Sequence, residues 1–114
     1  MLASPSMTAR DRYQPLRDAV RRAILDQDGA LDRATRQRAF DGAPTAPALD
    51  PYVTTVRRHA YRVDDAMVEA LRAAGQGDAA IFELTVAAAV GQATRQLDAG
   101  LAALAAAAAA PKEP

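Results

Sequence analysis

The residues of this chain that could do chemistry gather around its single histidine, His59. Thr55 lies four positions before His59, and Tyr52 lies three positions before Thr55. In a helix that spacing puts all three side chains on one face. An imidazole titrates near neutral pH and can move a proton, while hydroxyls can donate hydrogen bonds to a bound group. The spacing is compatible with a proton-transfer site, and equally with a histidine that is solvated or bonded to a backbone carbonyl.

Glu83 is the second candidate for acid or base chemistry, because apolar neighbours could bury its carboxylate and shift its pKa. If Glu83 faces His59, the two side chains could form a proton relay. The alternatives are a carboxylate favoured by a helix N-terminus or one paired with an arginine across an interface. Arg58 and Arg62 are candidates for holding an acidic group. No metal site is expected, because one histidine without cysteine supplies too few ligands in a single chain.

Composition limits the fold and the classes of partner. The chain has 114 residues, half of them hydrophobic and 4% aromatic, with a formal net charge of zero. The length fits one domain, and the alanine-rich composition favours an all-α fold. A balanced charge predicts no nucleic-acid partner. The absence of cysteine excludes disulfides and any thiol nucleophile.

The start of the chain has neither a basic nor an apolar segment typical of a secretory signal, and no run of large apolar residues is long enough to span a bilayer. We therefore expect a cytoplasmic protein with no membrane partner. Residues 1–12 mix proline, serine and charge without periodicity and are predicted to be a mobile tail. Residues 13–110 are predicted to form a single all-α domain, followed by a short tail over 111–114.

Hydrophobic periodicity and capping residues predict five helices in this domain. The first opens near Pro15, and the second follows an N-cap at Asp32 and ends at Gly42. A stiff proline-containing linker leads to an N-cap at Asp50. The remaining predicted helices run from Pro51 to about Arg62, from an N-cap at Asp64 to Gly75, and from Gly77 and Asp78 to the alanine run that ends at Ala110.

The last predicted helix is apolar on more than one side, which is typical of a helix buried on more than one side. Small residues between its large ones would let another backbone approach closely. A chain of this length has few elements to cover such a helix all round. The pattern therefore predicts a homo-oligomer that assembles through this long helix.

Two adjacent segments carry a family resemblance. The series YVTTVRRHAYRVDDAMVEALRAAG followed by DAAIFELTVAAAVGQATRQLDAGLAAL resembles the carboxymuconolactone decarboxylase and alkylhydroperoxidase D-like (AhpD-like) superfamily. It covers residues 50–104, about half of the chain. The resemblance implies an AhpD-like helical bundle that is oligomeric through its long helices.

The peroxidase branch of that family has the signature Cys-x-x-Cys-x-x-x-His, preceded twelve residues earlier by a glutamate. When His59 is aligned with the histidine, Tyr52 and Thr55 occupy the cysteine positions and Phe40 the glutamate position. Tyrosine and threonine cannot cycle between thiolate, sulfenic acid and disulfide. Thiol peroxidase activity is therefore excluded.

Three functions remain open. The first is a catalytically degenerate oligomeric protein with a binding or structural role. The second is a cofactor-independent decarboxylase or lactone-processing enzyme, with His59 as acid or base and with Tyr52, Thr55, Arg58 and Arg62 around a small carboxylate. The third is a helical protein-interaction module, which would be monomeric with an exposed apolar patch. No cofactor is expected for any of them.

Overall fold

The computed structural model describes the backbone of residues 9–110 and the side chains of residues 12–110. Within that range the chain forms five α-helices and one short 3-10 helix, with no β-strand. The prediction of an all-α fold is confirmed. The elements in chain order are α1 (Ala9–Leu25), α2 (Arg33–Asp41), α3 (Asp50–His59), the 3-10 helix (Ala60–Arg62), α4 (Asp65–Ala73) and α5 (Asp78–Ala109).

Side-chain caps and a glycine set the ends of the short helices. The carboxylate of Asp32 accepts a hydrogen bond from the Thr35 N–H at 2.9 Å, and that of Asp64 accepts one from the Met67 N–H at 3.0 Å. Gly42 ends α2 with a φ of 78°, in the left-handed region that favours glycine. The predicted N-caps at Asp32 and Asp64 and the predicted stop at Gly42 are confirmed.

Asp50 does not cap α3. It is the first residue of that helix, and Leu49 occupies the N-cap position without a side-chain bond. The Asp50 Oδ1 atom accepts hydrogen bonds from the N–H and the hydroxyl of Thr45, at 3.0 and 3.1 Å. The predicted cap was wrong because the preceding loop brings two donors to the carboxylate. Pro51 does occupy the first turn, where its missing N–H costs no helical bond.

The first helix is longer than the sequence predicted. It begins at Ala9, so Pro15 lies inside it rather than at its start. Residues 9–12 belong to this helix and not to a tail, while residues 1–8 and 111–114 lie outside the described residues. The hydrophobic pattern indicated a start near Pro15 because the residues before it show no apolar periodicity.

The core is formed where α5 packs against the other helices. On α5 the buried residues are Ala80, Ile81, Leu84, Ala87, Ala88 and Gly91, all in its first half, and no residue from 92 to 109 is buried. The 32 residues of α5 make it about 48 Å long. Among the described residues, no helix combines the length and apolar character needed to cross a membrane.

A close contact between two backbones holds α2 on α5. Gly91 is buried, and a Cβ atom built on it would lie only 2.6 Å from the Cα and carbonyl carbon of Phe40. Such a distance is far inside van der Waals contact, so any side chain at this position would push the helices apart. The sequence predicted that small residues of the long helix would admit another backbone, and at Gly91 that backbone is α2 of the same chain.

We predict that Gly91→Ala lowers the free energy of unfolding by at least about 2 kcal/mol, because the new methyl group can be accommodated only by moving backbone. Gly100→Ala is the matched control, since a Cβ at Gly100 in the same helix meets nothing within 4 Å. The control should gain about 0.5–1 kcal/mol from the better helix propensity of alanine. Urea denaturation measures both, and equal unfolding midpoints for the two variants would contradict the close contact.

Candidate functional site

His59 lies at the C-terminal end of α3 with its side chain exposed. Its ring Nδ1 is 3.5 Å from the Tyr61 hydroxyl, at the outer limit of a hydrogen bond, and the two rings meet edge to face. The guanidinium of Arg62 lies 5.6 Å from the centre of the Tyr61 ring, a cation–π distance. The histidine therefore belongs to a small surface cluster. Within the described part of the chain, no three potential metal ligands come together.

Tyr52 is buried, and its hydroxyl lies 2.7 Å from the hydroxyl oxygen of Thr85. Thr85 has one hydroxyl hydrogen, which it donates to the carbonyl of Ile81 at 2.6 Å. Tyr52 must therefore be the donor to Thr85. Its phenolic proton joins α3 to α5 inside the core and is not directed to a ligand.

Thr55 is half-buried, and its hydroxyl donates to the Pro51 carbonyl one turn earlier, at 2.8 Å. The helix predicted to carry Tyr52, Thr55 and His59 is present, with all three residues on it. Their surroundings nevertheless differ, because the first is in the core and the last is in solvent. The structure does not assemble these three side chains around one cavity.

Glu83 is bonded to the loop between α1 and α2. Its two carboxylate oxygens accept hydrogen bonds from the N–H groups of Ala30 and Leu31, at 2.9 and 3.0 Å. These bonds, with a smaller contribution from the nearby positive charge of Arg36, lower the pKa of Glu83 below its ordinary value, although partial burial opposes them. Gly29 makes room for this contact, since a Cβ there would lie 2.8 Å from the carboxyl carbon.

Glu83 and the histidine lie in different regions of the molecule. Tyr52 contacts Thr85, and Arg58, further along α3, shares a cleft with Arg95, further along α5. The two helices therefore run in the same direction, with the end of α3 beside the middle of α5. Residues 83 and 95 are separated by about 18 Å along the helix axis at the usual rise per residue. A direct relay between the predicted acid and base is not formed within one chain.

A second polar region lies at the C-terminal end of α3, and we name it the arginine cleft. It is an open cleft of about 300 Å³. Of the two arginines predicted to hold an acid, Arg58 lies in this cleft and Arg62 lies in the surface cluster instead. The residues that line the arginine cleft are Gly42, Thr54, Arg57, Arg58, Gln92 and Arg95.

Arg57 is half-buried beside the C-terminal end of α2. Its Nη2 atom donates to the carbonyls of Arg38, Ala39 and Ala43, at 3.1, 2.9 and 3.0 Å. Burial lowers the pKa of Arg57, and the positive charge of Arg95 lowers it further. The sequence did not predict that Arg57 and Arg95 would be neighbours, because the two arginines come from different helices and no local pattern brings them together.

An apolar groove runs between α1 and α5, with a volume of about 690 Å³. Leu16, Val20 and Leu97 line it, and they remain 65%, 44% and 47% exposed. The Arg17 guanidinium pairs with the Asp98 carboxylate at 2.6 Å between the same two helices. These apolar residues of α1 and α5 are therefore only partly covered within one chain.

Comparison with known proteins adds no assignment, since no family model, curated protein or solved structure matches this chain. The resemblance to the AhpD-like superfamily stays a prediction.

We predict that Glu83→Gln lowers the free energy of unfolding by about 1 kcal/mol at pH 7, because the amide accepts only one of the two N–H groups and carries no charge. A carboxylate with a lowered pKa stabilises the folded state at every pH above its ordinary pKa, which is 4.5 for glutamate. This stabilisation is lost as the pH falls through the pKa of the folded state. The difference between wild type and variant should therefore be constant from neutral pH to about 5.5 and shrink below about 4.5.

Urea denaturation at several pH values measures this difference directly. Other carboxylates, such as Asp32 with its own lowered pKa, titrate in both proteins and cancel in the comparison. Glu69→Gln is the control, because Glu69 is exposed and pairs with Arg72 on the surface of α4. Its effect should stay below about 0.5 kcal/mol. A Glu83→Gln difference that persists unchanged at pH 3 would contradict the assigned bonds.

Proposed function

We propose that this chain is a non-catalytic binding or structural protein that acts as a homo-oligomer, an AhpD-like bundle without the redox centre. The observation that carries the proposal is where the candidate catalytic groups direct their polar atoms. Glu83 is bonded to two backbone N–H groups, Tyr52 to Thr85, and Thr55 to its own helix, while His59 is in solvent. A general acid or base needs a reacting group within hydrogen-bond reach, in a site that excludes water. This arrangement supports stability more than turnover.

The uncovered apolar residues support self-association. Leu16 and Val20 of α1 and Leu97 of α5 flank the apolar groove, and Leu104 on the same side of α5 is 65% exposed. Contiguous exposed apolar surface on a small chain is typical of an interaction site. A second copy could fill the groove with its own Leu97 and Leu104, which gives a two-fold symmetric contact in which each copy provides both groove and ridge.

We expect light scattering of the purified protein to give a multiple of the 12.0 kDa chain mass. Leu97→Glu should shift the mass toward the monomer, because a carboxylate buried at the interface would have no partner. Tyr61→Glu is the matched control, since Tyr61 is 78% exposed and lies outside the apolar groove. A monomeric wild type, or equal masses for both variants and wild type, would reject the proposed assembly.

A separate measurement tests the absence of catalysis. Wild type and His59→Ala are incubated with lactone acids, and carbon dioxide release is followed. We expect no turnover from either protein. The two unfolding free energies should differ by less than about 0.5 kcal/mol, because His59 is exposed and its hydrogen bond with Tyr61 is long. Decarboxylation by wild type that disappears in His59→Ala would instead establish the decarboxylase hypothesis.

A further inference from the structure

The residues that line the arginine cleft carry an excess of positive charge. Three of its six lining residues are arginines, and none is aspartate or glutamate. Asp50 is the carboxylate whose charge acts on Arg57, and its Oδ1 atom is already bonded to Thr45. The guanidiniums of Arg57 and Arg95 repel one another, and Arg58 adds to that repulsion. Like charges held this closely are destabilising unless something opposite balances them.

The end of α2 explains why two of the arginines are there. Arg57 donates to three carbonyls at this end, and Arg95 donates to the carbonyl of Phe40 and, at 2.8 Å, to Gln92 Oε1. The last carbonyls of a helix carry partial negative charge and attract cations. Partial charges on four carbonyls hold these side chains in place without removing their net charge.

Donors remain after those bonds are counted. The Nε–H of Arg57 is buried and has no hydrogen-bond partner among the described residues. Arg58, the third arginine, is exposed and makes no hydrogen bond or ion pair within that part of the chain. A buried donor left without an acceptor is costly, and a guanidinium is suited to an oxyanion because its N–H groups match two oxygens at once.

We propose that the arginine cleft binds a small oxyanion, a carboxylate or a phosphate group, between Arg57 and Arg95 at its base and Arg58 at its open side. Thr54 adds a hydroxyl to the lining and Gln92 an amide. The volume of about 300 Å³ fits a small organic or inorganic anion, at the lower end of the usual range for ligand pockets. Gly42 keeps the cleft open, because a Cβ there would lie 3.1 Å from Arg95 Cζ and its φ is positive. The site does not depend on the proposed self-association.

The test uses the full chain and two probes, inorganic phosphate and succinate. Each probe is titrated into the protein, and sodium chloride of the same ionic strength is titrated in a parallel control. Isothermal titration calorimetry measures affinity, and the unfolding temperature provides a second readout. We expect saturable binding of at least one probe, with a rise in unfolding temperature that sodium chloride does not reproduce. Binding of phosphate alone assigns a phosphate ligand, whereas binding of succinate assigns a carboxylate.

Arg58→Gln is the test variant, because Arg58 makes no hydrogen bond or ion pair with the described residues and the protein should fold without it. We expect its affinity for the probe to fall about tenfold, the loss typical of one charge-assisted hydrogen bond. Arg22→Gln is the control, since Arg22 is also exposed and lies outside the arginine cleft. This substitution changes the net charge by the same amount. Thr54→Val, which removes the hydroxyl, should weaken binding to a smaller degree.

Two results would overturn the proposal. One is the absence of saturable binding for both probes, and the other is an equal loss of affinity in Arg58→Gln and Arg22→Gln, which would indicate a general response to net charge. Light scattering of Arg58→Gln should give the mass of wild type. Failure of the anion site and failure of the proposed assembly can therefore be told apart.

Discussion

The structure depends on the close approach of α2 to α5 at Gly91. Because Gly91 has no side chain, the backbone of Phe40 can lie directly against α5. The contact with α5 is the most extensive that α2 makes with another helix. This contact also fixes where the last carbonyls of α2 point. Because those carbonyls attract cations, Arg57 from α3 and Arg95 from α5 converge on them. One steric requirement therefore leads, through helix polarity, to the concentration of positive charge in the arginine cleft.

The polar groups of the chain divide into those that hold the fold and those that remain free to bind. Glu83 joins α5 to the loop after α1, and Arg36, 4% exposed, donates to the carbonyls of Leu31 and Ile24 in the same region. Tyr52 joins α3 to α5 by its hydroxyl. The polar atoms of these side chains form hydrogen bonds that hold the helices together. Arg58 is exposed and has no bond of that kind to any described residue, which is why a binding role suits it better.

The helix α1 shows how a correct pattern can lead to an unexpected surface. The spacing of its apolar residues predicted a helix, and that helix is present. Leu25 at its end is buried in the core, whereas Leu16 and Val20 are open to the apolar groove. An apolar face indicates that something covers it, but not whether the cover belongs to the same chain. Here only part of the face is covered within the chain, and the proposed second copy accounts for the rest.

The sequence by itself determined the all-α class, the caps at Asp32 and Asp64, the stop at Gly42 and the exclusion of thiol chemistry. These follow from bonds between near neighbours in the chain or from composition, so local residue types suffice. Tertiary structure alone decided the roles of Asp50, Glu83, Arg57 and Arg95, because each depends on an acceptor, donor or charge that the fold supplies. Spacing along α3 correctly grouped Tyr52, Thr55 and His59 on one helix. Only the packing of α5 decided that the first is buried and the last is in solvent, since burial depends on what the other helices cover.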